Sequence, residues 1–574
     1  MAAPSKARVL GVDDFLPVEE VRKKPLLEMT RCGSTLPANQ PEFVNKRWLT
    51  ETGTAINNLV DKVDDDATGQ RVSPSALIGC SRAGKTRALR EIGLELRQKY
   101  NRPVVYVSFN DATTYQLEEA ASSSPLDSLL ARIAYAIAKP EVLAGERLHD
   151  DEGLLSFTTN RTCLVEWLKR SNDCVLLIDE INNLVNSAMP AIRKDPVAFF
   201  LRDNFISTAG RGWVCTTHVT DALTVFDSIG GNPSGRVFLR HSLPVVESEE
   251  DLKKLVYEGR RLTVHPAYYG LSPGLIMTSL DKGYELDRKW ELALEKLSEN
   301  EMSVLFGEIL LDLFNPNATA ASFRPSFELL SRCVYAMPES RVVERAWPPV
   351  ALGFVLSRCG APMLSEPIAE RGEDLLVALR DAPTRGARAW EIAVTLALTL
   401  RLEALRCRPR SRKLRKDLDV QLPGTRRKTA TIFPSGLIED LRCGQNVRIT
   451  CRRDWDDVGD ALAKLRRAPD QRPAATVYFP GRVDFGVYDL LLAYYPAGDK
   501  KSEIYGYQFK SGNNPPKRAL PDVAKSFLIR GKSAKSASPK TGAAKAGWID
   551  VRKEDLNILL GPSLLPLLQF ERPL

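Results

Sequence analysis

The chain has 574 residues, enough for about three or four domains. It carries 80 Lys and Arg against 72 Asp and Glu, a net charge of +8, and 44% of its residues are apolar; that balance excludes a disordered chain and fits a soluble globular one. No apolar run reaches membrane-spanning length, four His argue against histidine-based metal catalysis, and the ten Cys without a C-x-x-C pair read as reduced, buried small hydrophobes.

The first residues, MAAPSKARVLGVDDFLPVEEVRKK, hold no apolar core of signal-peptide length, so classical secretion is not expected. Residues 1–70 are mixed in composition, with an acidic run at Asp64-Asp65-Asp66 and a candidate helix from Arg47 to Val63, and carry no recognisable chemistry.

Residues 71–246 alternate strand and helix patterns, which predicts an α/β domain with a parallel sheet. Within it Gly79-Cys80-Ser81-Arg82-Ala83-Gly84-Lys85-Thr86 has the spacing G-x-x-x-x-G-K-[ST]. The glycines let the backbone curl so that its N–H groups face phosphate oxygens. Lys85 supplies a point charge near the β- and γ-phosphates, and Thr86 offers a hydroxyl to Mg²⁺. Ala76-Leu77-Ile78 leads in as a strand, and Ala88, Leu89, Ile92 and Leu96 lead out at helical spacing. The expected cofactors are therefore ATP (or GTP) and Mg²⁺.

A second piece agrees with the first. Cys174 to Ile178 is an apolar run suited to a strand covered on both faces, and it ends in Asp179-Glu180. Asp179 is expected to hold Mg²⁺ through water, and Glu180 to polarise the attacking water. Val104 to Asn110 reads as another strand, Leu126 to Ala138 and Thr162 to Arg170 as helices, and Gly212 to His218 as a strand with polar residues at its end. Ligands gather at the carboxyl ends of such strands, where Asn110, Asp179, Glu180, Thr216 and Thr217 fall. Thr217 or Thr216 is a candidate γ-phosphate sensor or a strand-end hydroxyl satisfied by its neighbours. Arg236 to Val246 reads as the last strand of the domain, with Arg236 or Arg240 as either a surface arginine or an arginine finger in a neighbouring subunit of a homo-oligomer.

Residues 247–380 read as mostly helical, Phe327 to Tyr335 included, and form a predicted lid or linker domain without a motif. Residues 381–574 change character. Trp390 to Leu405 is a strongly apolar helix with one early acid, Glu391, and runs into the basic stretch Arg406 to Lys416. That stretch is either a solvated face, a DNA phosphate contact or a nuclear-import signal. From Lys525 to Lys545 six basic residues and no acids, in a Ser/Ala/Gly-rich setting, predict a flexible basic loop.

Between them Asp484 to Tyr495 contains one strand, and Ile504 to Lys510 a second that alternates in and out. Gln508 and Lys510 share a face because they are two apart. With an acid from the first strand, Asp489 in preference to Asp484, they suit a Mg²⁺-dependent phosphodiesterase: the acid and the Gln508 carbonyl as ligands, Lys510 steadying water or developing charge. So short a pattern also describes an exposed hairpin.

The order of these parts resembles the Crinkler effectors of oomycetes and fungi and is similar to the retrotransposon hot spot proteins of kinetoplastids. VVYVSFNDATTY at 104–115 and LLIDEINNL at 176–184 look like that family's strands around the nucleotide, and the resemblance covers about residues 70 to 560. It implies a C-terminal domain of the PD-(D/E)xK restriction-endonuclease-like fold, with Glu391, Asp489 or Asp484, Gln508 and Lys510 at its metal site. It further implies action on DNA in the nucleus, a host nucleus after secretion, with a host nuclear protein as a candidate partner, and a cytoplasmic protein otherwise. The chain departs from the pattern twice. It has no ubiquitin-like header with an LFLAK-type motif, and Gln508 stands where many such nucleases have Glu or Asp.

Overall fold

The computed structural model describes residues 8–29, 42–50, 56, 59, 72–80, 82–110, 124–143, 157–171, 173–185, 191–218, 239–256, 266–282, 292, 294–314, 334–336, 344–348, 350, 387–407, 412–422, 428–455, 457–467, 469–480, 487–498, 501–510, 518–530 and 547–564. Ser81, Asp484, Arg236, residues 408–411 of the first basic segment and residues 531–545 of the second lie outside them.

Two sheets dominate. The first is built from β1 (Ser75–Ile78), β2 (Val104–Ser108), β3 (Val175–Asp179), β4 (Gly212–Thr217) and β5 (Leu239–Ser242), in the order β2-β3-β4-β1-β5 and parallel throughout. Parallel neighbours need crossovers, and helices α1 (Lys85–Gln98), α2 (Pro125–Ile137) and α3 (Arg161–Arg170) supply them. Strands β1 to β4 are buried along their whole length, as their largely apolar sequences favour. Helix α1 buries Ala88, Leu89, Ile92 and Leu96, one stripe at helical spacing. Ser124 caps α2 by accepting from Asp127 N–H while the Asp127 carboxylate reaches back to Ser124 N–H, and Pro125 opens its first turn. The topology fixes the site: β4 lies between the phosphate-loop strand β1 and the acidic strand β3, so all three deliver their carboxyl ends to one edge.

After β5, Ser248 caps a helix over Glu249–Leu255, and α4 (Pro273–Lys282) and α5 (Glu299–Phe314) follow. This segment is not all helical. Val334–Ala336 pairs antiparallel with Glu344–Ala346, so the end of the helix expected over Phe327 to Tyr335 is a strand; β-branched and aromatic Val334 and Tyr335 favour the extended form.

The second sheet contains β6 (Arg448–Trp455), β7 (Ala474–Pro480), β8 (Leu490–Tyr495), β9 (Glu503–Lys510), β10 (Lys525–Arg530) and β11 (Ile549–Val551), in sequence order across the sheet. It is mixed: β7-β8-β9 form an antiparallel meander, and β10 and β11 run parallel to β9. Two expectations are corrected here. Strand β9 does not alternate in and out; residues Ile504 to Phe509 are all buried, because β9 is central and covered on both faces. Lys525 to Arg530 is not loop but a sheet strand, whose Ser526 to Ile529 are buried between basic ends. Helix α6 (Ala387–Cys407) packs on β9, on α5 and on α7 (Lys553–Leu564). Arg401, fully buried in α6, donates to the carbonyls of Ile558 and, at 3.1 Å, Leu559. These lie just before Gly561, where φ 67° and ψ 174° break α7, and a buried carbonyl at a helix break needs such a donor. No disulfide occurs among the described residues; Cys80, Cys174, Cys215 and Cys451 are buried as expected, whereas Cys407 and Cys443 are exposed. No helix among them is long and apolar enough to cross a membrane.

Candidate functional site

The loop after β1 turns through two residues in the left-handed region, Arg82 (φ 64°) and Gly84 (φ 97°). Glycine adopts that conformation freely, and Gly84 stands directly before the first turn of α1. Gly79 N–H donates to the Thr217 carbonyl at 3.3 Å, tying the loop to the end of β4, and Ala83 N–H donates to Cys80 O at 3.2 Å. Lys85 is 3% exposed. Its ammonium reaches back over the loop to Cys80 O at 3.0 Å and lies 3.0 Å from Glu180 Oε1.

The acids of β3 divide the remaining contacts. Asp179 is fully buried. Its Oδ2 accepts from the Thr86 hydroxyl at 2.9 Å, and from Tyr106 OH and Ser108 Oγ at 3.4 Å. Its Oδ1 accepts from the Thr216 hydroxyl at 2.7 Å. Burial pushes the Asp179 carboxyl upward, with the neighbouring Glu180 charge adding to the push and the Thr216 and Thr86 hydroxyls opposing it. Glu180 has left-handed backbone (φ 55°, ψ 54°), and its N–H donates to Thr216 Oγ1 at 2.7 Å. Burial raises this carboxyl too, but Lys85 and His218 outweigh it and hold Glu180 below the usual carboxylate range. The pair thus has one carboxyl pushed upward and one held low, each by its surroundings.

Of the two threonines, Thr216 is the one turned to Asp179. Thr217 serves the loop through its carbonyl, and Thr217 Oγ1 lies 3.1 Å from the Asn182 amide nitrogen when that amide is oriented to satisfy its neighbours. Asn110 N–H donates to Ser108 Oγ at 3.2 Å. Arg240 lies within β5, half-buried rather than at the surface.

Two contributors escaped the sequence reading. His218 Nδ1 lies 2.9 Å from Glu180 Oε2; the only sequence signal was a polar residue at a strand end. Gly274, in the first turn of α4, rests on the loop itself: a Cβ there would lie 2.1 Å from Arg82 O and 2.6 Å from both Ala83 C and Gly84 N. Ser272 Oγ donates to Ala83 O at 3.4 Å beside it. No local pattern announces so close an approach between segments this far apart in sequence.

In the second sheet, Asp489 stands just before β8. Leu490 pairs with Tyr507, and Asp489 N–H donates to Tyr507 O at 2.8 Å, which puts Asp489 opposite Gln508. Asp489 Oδ2 accepts from Phe509 N–H at 2.6 Å. Burial raises the Asp489 carboxyl to about 6, against the Phe509 hydrogen bond and the Lys510 charge. Gln508 is 3% exposed, and its Oε1 is buried with no hydrogen-bond partner. Lys510 ends β9, partly buried, on the face of Gln508. Glu391 lies in the second turn of α6, the helix that packs on β9. Among the described residues no group of three His, Cys, Asp or Glu side chains is placed to hold a metal.

No protein-family model matches the chain, and no curated protein matches it. Among solved structures it is similar to the Aeropyrum pernix ORC2 protein with ADPNP and ADP (14% identity, 56% of this chain and 96% of that one, TM-score 0.31). It is also similar to a Walker-type ATPase of Pyrococcus abyssi (14% identity, 52% and 94%, TM-score 0.32), and to the Aeropyrum pernix ORC1 protein in complex with DNA (14% identity, 58% and 96%, TM-score 0.24). Overlaps at these scores transfer no function.

Proposed function

We propose that this protein binds and hydrolyses ATP or GTP at the Gly79–Thr86 loop, and that this reaction controls a DNA-directed activity of the C-terminal sheet. The observation that carries the first part is the 2.9 Å hydrogen bond from Thr86 to Asp179 at the carboxyl edge of a parallel sheet, with the buried Lys85 ammonium beside it. A hydroxyl and a carboxylate already in contact at the head of a helix are a donor set suited to Mg²⁺. Thr86 and Asp179 would hold the ion, which when bound offsets charge on the phosphates. The loop N–H groups and the N-terminal end of α1 favour the anion, and Lys85 brings a charge to the β- and γ-phosphates. Glu180, held ionised, accepts the proton of the attacking water. Thr216 fixes both acids by bonding one side chain and the other backbone. The test is phosphate release from ATP and from GTP by the purified protein, with Glu180→Gln as the binding-competent control that should release none.

For the C-terminal sheet the reading is a Mg²⁺-dependent DNA endonuclease of the restriction-endonuclease-like kind. Its support is the orphaned Gln508 Oε1 opposite Asp489, since a buried acceptor without a donor is what a cation satisfies. A sheet that only grips DNA is the second reading, favoured by the lack of a three-carboxylate cluster among the described residues. Plasmid nicking with Mg²⁺ against EDTA, with and without ATP, separates the two. Nuclear, effector-like action is part of the same proposal and rests on the motif order and the basic segments.

A further inference from the structure

One carboxylate at the nucleotide site has more partners than its role as a base needs. Glu180 Oε1 is 3.0 Å from Lys85 Nζ. Glu180 Oε2 is 2.9 Å from His218 Nδ1 and, with the Asn182 amide oriented to satisfy its neighbours, 3.0 Å from that nitrogen. All three residues, Lys85, Glu180 and His218, are buried. The Glu180 backbone is fixed as well, by its bond to Thr216 and its left-handed conformation. The carboxylate plane is therefore set by what grips each oxygen.

The two grips differ in permanence. Lys85 is the loop's phosphate ligand, so a triphosphate competes with Glu180 for its ammonium. The imidazole of His218 sits on the far oxygen, directly after β4 and outside the phosphate loop. We infer that His218 is a positioning residue for Glu180: it holds Oε2 while Lys85 turns to the phosphates, leaving Oε1 as the oxygen that receives the water's proton. The inference rests on the nucleotide-hydrolase reading above. Against a carboxylate acceptor the Nδ1 of His218 is the ring nitrogen that carries hydrogen. In the step, the O–H bond of water breaks and its proton passes to Glu180 Oε1; the new P–O bond forms at the γ-phosphorus as the bond from that phosphorus to the β,γ-bridging oxygen breaks, releasing the nucleoside diphosphate and phosphate, while the Nδ1–H···Oε2 hydrogen bond persists.

The effect should appear in turnover and not in affinity. A carboxylate released from one of its anchors reaches the productive geometry less often, and misplacement by about 1 Å costs on the order of 10²-fold. His218→Ala should therefore lower kcat by about that factor, with nucleotide Kd within about threefold of wild type. His218→Asn, whose Nδ2 can take the place of Nδ1, should recover most of the rate. Thermal melts of each variant show whether the fold is intact. An active wild type with His218→Ala equally active overturns the inference alone. So does a loss of affinity matching the loss of rate, or an Asn variant no better than Ala. A wild type that hydrolyses neither ATP nor GTP overturns the parent reading, and this inference with it.

Discussion

Lys85 Nζ lies 3.0 Å from Glu180 Oε1, and both groups are buried. Removing one member of a buried pair leaves the other charge uncompensated, a loss of roughly 3–5 kcal/mol where nothing else intervenes. Here His218 still contacts Glu180 and softens the loss. Lys85→Ala should thus lower the melting temperature as well as weaken ATP binding by more than about tenfold. Glu180→Gln keeps the shape and should bind ATP without turning it over. Scanning calorimetry with nucleotide titration checks both, and wild-type turnover by Glu180→Gln would remove Glu180 from the base role.

Gly274→Ala tests a contact that involves no ligand. The added methyl meets three backbone atoms of the phosphate loop, the nearest at 2.1 Å, and backbone cannot swing aside as a flexible side chain can. Overpacking of this kind costs about 1–3 kcal/mol. The strain falls on Arg82, Ala83 and Gly84, so nucleotide affinity should drop together with stability. Equilibrium unfolding and fluorescent-nucleotide titration measure the two; affinity unchanged in the face of lost stability would show that α4 shifts and the loop does not.

His241 supplies a pH dependence. It is buried in β5, its Nε2 lies 3.3 Å from Ser75 Oγ, and burial lowers its pKa from 6.5 to about 4. The unfolded chain takes up a proton near pH 6.5 that the folded chain refuses until about pH 4. The contribution is therefore complete above pH 6.5 and is lost as pH falls toward 4, by about 3 kcal/mol over the interval. His241→Gln should flatten that part of the stability profile relative to wild type. Urea titrations at pH 7, 5.5 and 4.5 read it; parallel profiles for the two proteins would exclude His241 as the source.

If the endonuclease reading holds, Asp489→Ala and Lys510→Ala should abolish Mg²⁺-dependent nicking and leave phosphate release intact, since the two proposed sites lie on different sheets. Lys510→Ala should spare metal binding, because in that reading the lysine serves the reaction and not the ion. Glu391→Ala should weaken metal binding only in part. Nicking by both Asp489→Ala and Lys510→Ala at wild-type rate would leave DNA gripping as the better account of this sheet.

The parts of the fold that were legible in sequence are those governed by local pattern. Ala76 to Ile78 and Val175 to Ile178 are continuous apolar runs, and the loop spacing between Gly79 and Thr86 is a local constraint of the backbone. Lys525 to Arg530 failed for the opposite reason: its basic ends and the Ser/Ala/Gly-rich residues beyond it outweigh three apolar residues in any composition window, although those three fill a strand. The central position of β9 was equally hidden, because its polar Gln508 reads as an outward residue until a strand is placed on either side. His218 and Gly274 act through contacts across the chain. A polar strand-end residue and a glycine after a proline have no sequence signature that sets them apart from many others.

The seat of α4 on the phosphate loop has a mechanical meaning. Between Gly274 and the backbone of Arg82 to Gly84 there is no side chain to change rotamer, so the loop and the helix meet as two rigid bodies. A displacement of the loop cannot be absorbed at that bearing. It must be handed on to α4, a rod of about 15 Å at the ordinary helical rise, whose far end swings with whatever tilt the near end is given.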